Sequence, residues 1–342
     1  MRSQIFLLSG LLLVGCAHLP EKSTAWQPLF NGKDLAGWDT EMMILPDPKW
    51  DVPGLQRDAN GNYTAPVGKN NDPLHVFTVT NMDGVPTIHV SGQGFGVMMT
   101  TTTFTNVHIR LQIKWGDLKW SKKIGQPFDT GLLYFCHSDA GVAPTDRLKT
   151  WPRSFEFQIC QNEFGDLYAL GTQITVPASQ VMSKTFVGSQ FVDRKMWRYE
   201  PDGTNTVFVQ KAPISNHCVH LVDAEKPKGE WNTLDLILFN GNSIHVVNGQ
   251  VVMRLYNAQR LDHGDPEPIT SGKICLQTEG GECFFRNVEV QPITEIPDEF
   301  AEKKMYRRAP SADACSRQIL RSGSRHEQAL KFILNEPLSW HK

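Results

Sequence analysis

Asp129-Thr-Gly-Leu-Leu-Tyr-Phe-Cys-His137, and beyond it Ser154-Phe-Glu-Phe-Gln-Ile159 and Gly165-Asp-Leu-Tyr168, are the stretches whose reading decides the fold. They are short and alternating, with the period of two that marks a β-strand. In the second, Phe155, Phe157 and Ile159 fall on one face, and Glu156 and Gln158 on the other. A carboxylate beside a carboxamide makes a poor core. It makes a suitable floor for a ligand rich in hydroxyls.

Similar runs of Val, Ile, Phe and Thr, broken by Gly, Asn, Asp and Pro, recur outward in both directions. Strands are predicted over residues 87–90, 96–100, 107–115, 131–136, 154–159, 206–210, 233–238, 243–247, 251–256, 272–278 and 283–291. Phe239-Asn-Gly-Asn242 and Val247-Asn-Gly-Gln250 each hold an Asn-Gly pair between alternating segments, a strong hairpin signal. Many short strands with no long helical period predict an all-β fold, a two-sheet antiparallel sandwich of jelly-roll type. The longer insertions, residues 42–71, 116–128 and 138–151, are expected as loops at the rim of one sheet. After Pro297 the chain turns basic and carries two helical patterns; the second opens with Ser324-Arg-His-Glu327, a capping-box match. The expected division is a leader over residues 1–16, a tether over 17–26, the sandwich over 27–294 and a partly helical extension over 295–342.

Arg2 and the apolar run from Ile5 to Val14 are too short to span a bilayer. They lead into Leu13-Val-Gly-Cys16, which resembles a bacterial lipoprotein signal box with Cys16 as the acylated residue. Ala17 is not the aspartate of inner-membrane retention, so a lipid anchor in the outer membrane of the cell envelope is expected. Six cysteines follow, Cys136, Cys160, Cys218, Cys275, Cys283 and Cys315. Their wide spacing contains no zinc pattern and leaves buried thiols and one or two bridges equally open. A formal net charge of -2 gives no reason to expect nucleic acid as a partner. Nine Trp suit either carbohydrate stacking or a β core.

Leu29-Phe-Asn-Gly-Lys-Asp-Leu-Ala-Gly-Trp38 resembles the opening of the DUF1080, or 3-keto-disaccharide hydrolase, family. Successive blocks are similar as well: Ser91–Gly96, Phe104–Trp115, Glu156-x-Gln158, Gly229–Thr233, Val247-Asn-Gly249, Ser271–Gly280 and Phe284–Asn287, so the resemblance covers roughly residues 28–293. It implies a concanavalin A-like or laminin G-like sandwich that cleaves glycosides whose C3 hydroxyl has become a ketone. Two blocks depart from the pattern. Cys160-Gln-Asn-Glu163 stands where relatives carry Gln-Glu-Gly-Asp, which leaves Gln161 in place of a carboxylate with Glu163 close by, and Asp129-Thr-Gly131 replaces Asn or Asp-Ser-Gly.

A ketone at C3 acidifies the C2 hydrogen, so cleavage needs a base, a donor to the enolate oxygen and an acid at the leaving group. Glu156, His137 and Gln158 are the candidates for these tasks. Glu156 is otherwise an ion-pair partner of Arg153 or Arg286, and Gln158 otherwise a sheet-face hydrogen bonder. Trp151 and Arg153, just before the central strand, suit stacking and clamping a sugar, or rim packing. Asp166 either holds a hydroxyl or cation or caps a turn. Gln277, Glu279 and Arg286 complete the substrate-binding candidates. Oxygen and imidazole ligands leave a divalent cation such as calcium open, although no EF-hand or HExxH stretch occurs. Glu156 and Gln158 stand where an ordinary retaining glycosidase wants two acids, which weakens that reading. A lectin-like sandwich binding saccharide without turnover is the other alternative.

Overall fold

Phe155, Phe157 and Ile159 are all buried in the main core, as their alternation demands. The computed structural model describes residues 25–302, apart from 46, 48, 143–149, 188–189, 211–214 and 263. Cys16, the tether up to residue 24, Cys315 and the helical patterns of the C-terminal extension lie outside the described residues.

The described strands form two sheets, with every strand pairing antiparallel. The first sheet runs His217–Cys218, Leu167–Leu170, Ser154–Cys160, Asp129–Cys136, Ser271–Glu279, Phe95–Thr100, Trp38–Met42, Gly68–Lys69. The second has Val107–Lys119 at its centre, between Asn232–Phe239 and Gly281–Pro292. Beyond Asn232–Phe239 it continues through Asn242–Val247 and Gln250–Arg260 to the long pair Thr172–Val187 and Gln190–Tyr199. The architecture is an all-β sandwich.

Leu132, Tyr134, Phe157 and Leu276 of the first sheet meet Ile109, Leu111, Leu236 and Phe285 of the second in the core. Each such side chain contributes about 1.5–3 kcal/mol on burial. The Tyr134 hydroxyl is satisfied by Ser243 Oγ at 2.9 Å and His245 Nε2 at 3.0 Å. His245 Nδ1 in turn lies 2.9 Å from the Gly165 carbonyl, which ties the second sheet to the turn that presents Asp166. Burial pushes His245 down to about 4, so this tie is neutral at physiological pH.

Both Asn-Gly pairs make the tight reversals expected. Asn240 and Gly241 have φ of 50° and 72°, Asn248 and Gly249 of 49° and 80°. Positive φ at both central residues is the type I′ geometry whose twist matches the flanking strands.

Two features differ from expectation, and a third settles an alternative the sequence left open. The pair Thr172–Val187 and Gln190–Tyr199 and the strands Trp38–Met42 and Phe77–Met82 were not legible, because Pro177 interrupts the first and Trp-Asp-Thr-Glu-Met lacks an apolar alternation. The 116–128 insertion is strand as far as Lys119 and then a 3₁₀ turn, Ser121–Lys123. The five described cysteines are free, buried thiols; Cys136 and Cys275 face each other across neighbouring strands with their sulfurs 3.3 Å apart.

Candidate functional site

The polar positions of the first sheet lie on the face turned away from the second sheet. Glu156 pairs with Leu133 on one side and Tyr168 on the other, and Tyr168 pairs with His217. Gln158 pairs with Gly131. Gly131 sets the geometry of this floor. A Cβ there would collide with Glu156 Oε1 and Gln277 Oε1, so the missing side chain is what lets those two groups converge from the flanking strands.

Glu156 and Gln158 are 5% and 7% exposed, and Gln277 not at all. Burial, reinforced by the nearby Glu279 and Asp129 carboxylates, pushes Glu156 well above the usual carboxylate range. The Gln277 carboxamide moderates that rise from close range, yet neither of its polar atoms makes a hydrogen bond of good geometry. Gln158 Oε1 accepts from the Ile159 N–H at 3.0 Å.

Lys123, delivered by the 3₁₀ turn, bonds Asp129 Oδ2 and lies 3.1 Å from Glu279 Oε1. Burial works against its charge, but Glu279 and Asp129 outweigh it and raise the ammonium above its ordinary value. One cation thus serves two carboxylates, while the third, Glu156, is raised by their proximity and by burial.

A second group adjoins the same row. Asp166 Oδ2 lies 2.7 Å from His217 Nε2, and Oδ1 lies 2.6 Å from His220 Nδ1 and 2.8 Å from the His220 N–H. Burial pushes the Asp166 carboxyl up, but the bonds from both histidines outweigh it and hold it at about 2. His220 is raised for the reciprocal reason: its bond to Asp166 overcomes desolvation. In a neutral His217 the Nε2 proton goes to Asp166, which leaves Nδ1 as the basic nitrogen. Its ring stacks on Tyr168 with centroids 4.2 Å apart. Glu163, in the adjoining turn, is pushed to about 7 by burial and by Asp166.

Of the residues singled out in the sequence, Glu156, Gln158, Asp166, Gln277 and Glu279 share this face. His137 lies four residues past Leu133, about 13 Å at the rise of a strand, farther than one sugar ring reaches from Glu156. Its Nδ1 lies 3.0 Å from the Phe135 carbonyl, and its Nε2 makes no hydrogen bond. Trp151 packs against the cluster of Leu133, Cys136 and Cys275 on the same face, and the Arg153 Nε is buried without a hydrogen bond. Arg286 does not join them. It lies on the outer face of the second sheet, its guanidinium 3.9 Å from the Trp231 ring centroid and its Nε bonding Gln112 at 2.9 Å. Its neighbours Cys283 and Phe285 point into the core, and strand alternation sends Arg286 the other way.

Sequence reading did not single out Lys123, Tyr168, His217 and His220 as site residues, and quoted Asp129 only as the start of a strand and of a family block. The two histidines of Ser215-Asn-His-Cys-Val-His220 were the one available signal. Among the described residues no three His, Cys, Asp or Glu side chains are arranged to hold a metal ion.

A family model described as the 3-keto-alpha-glucoside-1,2-lyase-like domain matches residues 25–291. The chain belongs to this family. The lyase-like domain is thereby a carbohydrate-active one, and its matched span contains every residue of the face just described. No curated protein matches the chain. Among solved structures it is similar to a candidate glycosyl hydrolase from Parabacteroides distasonis, with 18% identity and a TM-score of 0.36 over 78% of this chain and 94% of that one. It is also similar to carbohydrate binding module CBM66 from Bacillus subtilis, with 8% identity and a TM-score of 0.33 over 63% and 91%. A polysaccharide lyase of family 7, alginate lyase A1-II′, gives 12% identity and a TM-score of 0.32 over 76% and 96%.

Proposed function

We propose that this lyase-like domain cleaves glycosides oxidised to a ketone at C3, by removing the C2 proton and expelling the C1 substituent. The observation that carries this reading is the meeting, on one face, of a carboxyl raised well above its usual range with the Gln277 amide beside it, next to a histidine held by a carboxylate. Elimination needs a proton donor and a proton acceptor at once, and burial raises the carboxyl that would donate.

In this reading His217 Nδ1 takes the C2 hydrogen as a proton, and the electron pair passes into the C2–C3 bond as the ketone becomes an enolate. The Gln277 N–H donates to the enolate oxygen. When the ketone re-forms, a C1=C2 double bond replaces the C1–O bond, and Glu156 gives its proton to the departing oxygen. Water adding across C1=C2 afterwards yields net hydrolysis. Asp166 fixes the tautomer of His217, and His220, raised by that carboxylate, balances its charge.

The test is to incubate the protein with 3-keto-glucosides and with the matching unoxidised glycosides, in wild type and Glu156→Gln. We expect turnover of the oxidised set only, and a roughly 10²–10⁴-fold loss of kcat in the variant with ligand affinity retained. Turnover confined to unoxidised glycosides, or binding of sugars with no turnover of either set, overturns the proposal.

A further inference from the structure

Phe135 has a φ of 51°, an outlier for a bulky side chain within a strand. It belongs to a β-bulge: Cys136 pairs with Lys273 and Leu133 with Cys275, so Tyr134 and Phe135 together oppose Ile274 alone. Residues three apart on a regular strand face opposite ways. Here Tyr134 and Phe135 both enter the main core, while Leu133 and Cys136 share the outer face with Cys275. The bulge thereby sets the Cys136 sulfur 3.3 Å from that of Cys275. We infer that Cys136 and Cys275 are a peroxide-oxidisable pair, which closes to a reducible disulfide and clamps the strand Asp129–Cys136 to Ser271–Glu279.

Access decides which thiol meets an oxidant first. Cys136 lines a surface hollow with Thr103, His137, Ser138, Asp139 and Lys273, whereas Cys275 is wholly buried. The charged and titratable groups around that hollow are Lys273, Asp139 and His137, with Asp262 Oδ1 3.8 Å from His137 Nε2. Burial, and Cys136 beside it, push the Cys275 thiol well above its ordinary range and keep it protonated until its partner has reacted. Among the described residues no other two cysteine sulfurs touch. Cys160 and Cys218 lie instead against the carbonyls of Gln161 and Val219, at 4.0 and 3.8 Å.

The reaction balances with hydrogen peroxide as the oxidant. The Cys136 sulfur, its proton lost, attacks one peroxide oxygen; the O–O bond breaks, and the departing hydroxide takes that proton to become water. The Cys275 sulfur then attacks the Cys136 sulfenic acid, and the hydroxyl leaves as a second water with the Cys275 proton. Two thiols have given two electrons to one peroxide. The sulfurs need to approach by only about 1.2 Å to reach the S–S bond length of about 2.05 Å. The strands so joined carry Gly131 and Gln277, and Cys275 pairs with Leu133, itself the partner of Glu156. The bridge therefore fixes one joint of the polar floor, whatever reaction that floor performs.

The test exposes the reduced full chain to hydrogen peroxide, then alkylates it in denaturant and maps the peptides by mass. We expect Cys136 and Cys275 to lose alkylation together, about tenfold faster than Cys160, Cys218 and Cys283, and dithiothreitol to restore both. The mapped bridge should join these two alone. In Cys275→Ser the reaction should stop at a Cys136 sulfenic acid, trapped by a cyclic 1,3-dione. The bridged wild type should melt about 5 °C or more above the reduced form, because a cross-link between residues so distant in sequence constrains the unfolded chain. Wild type alone decides, so a variant that fails to fold costs nothing. Both thiols left free, Cys136 bridged to another cysteine, Cys136 overoxidised beside an intact Cys275, or a bridge that does not raise the melting temperature overturns the inference.

Discussion

At Gly131 the backbone needs no unusual φ, so what glycine supplies there is space alone. The atoms a Cβ would strike are the far ends of two flexible side chains, Glu156 Oε1 and Gln277 Oε1. Gly131→Ala should therefore fold, with a melting temperature within a few degrees of wild type, while it spreads the two groups that must act on one ring. Because ångström-scale misplacement of reacting groups is costly, turnover of a 3-keto-glycoside should fall by about 10²-fold. Steady-state kinetics beside a thermal melt check it; unchanged kcat would show that the convergence over Gly131 plays no part in the reaction. The same residues show what a sequence makes legible at this scale. Glu156 and Gln158 were readable because two polar residues interrupt one face of an aromatic strand. Lys123 and His217 were not, since one arrives from a short 3₁₀ turn and the other from a two-residue edge strand, and only the folded register sets them on the face of Glu156, with Tyr168 between Glu156 and His217.

Elements follow the same division between local and distant causes. The two Asn-Gly reversals were legible because type I′ turns demand positive φ at two consecutive residues, and Asn-Gly meets that demand at little steric cost. They are not equivalent, however. A Cβ on Gly241 would lie 2.9 Å from the Ile269 carbonyl oxygen, whereas one on Gly249 would meet nothing within 4 Å. Gly249→Ala should pay only the left-handed backbone penalty, about 1 kcal/mol, and Gly241→Ala that penalty plus a backbone clash, about 2 kcal/mol or more. Urea unfolding of both variants measures the difference, and equal losses would mean that the Ile269 segment yields freely. By contrast, the long pair Thr172–Val187 and Gln190–Tyr199 lacks a local signal of this kind. Its pairing is set by partners distant in sequence, such as Thr175 against Tyr256, and a proline inside the run hides it further. Arg286 lies apart from the other candidates for a related reason: the alternation of Gly281–Pro292 is plain, but which sheet the strand joins is not written in it.

Taken over the whole molecule, the site imposes a pH dependence on stability. Burial raises Glu163, with Asp166 adding to it, and raises Glu225, whose Oε2 accepts the Asn162 N–H at 2.6 Å; both reach about 7 from an ordinary 4.5. Burial raises Glu156 in the same direction. For a carboxyl raised by folding, the native state binds the extra proton, so stability falls as pH climbs from the unfolded value to the folded one. Each of Glu163 and Glu225 contributes at most about 1.4 kcal/mol per pH unit across that window. His220 acts in the same sense: its bond to Asp166 raises it, so its contribution is fully present below 6.5 and is lost as pH rises through the raised value. Asp166 acts oppositely at the acid end, where a carboxyl held at about 2 contributes above 3.8 and loses that contribution as pH falls through 2. His245, lowered to about 4, opposes them between pH 4 and 6.5 but offsets only one of the raised carboxyls, so maximum stability falls near pH 5, on the acid side of neutrality. Chemical denaturation at pH 4, 5, 6, 7 and 8 should show the unfolding free energy falling steadily above pH 5, with Glu163→Gln/Glu225→Gln flattening the decline between pH 5 and 7. A stability that climbs to pH 8, or a double variant with the same slope as wild type, would mean that Glu163 and Glu225 are solvated and not raised by burial.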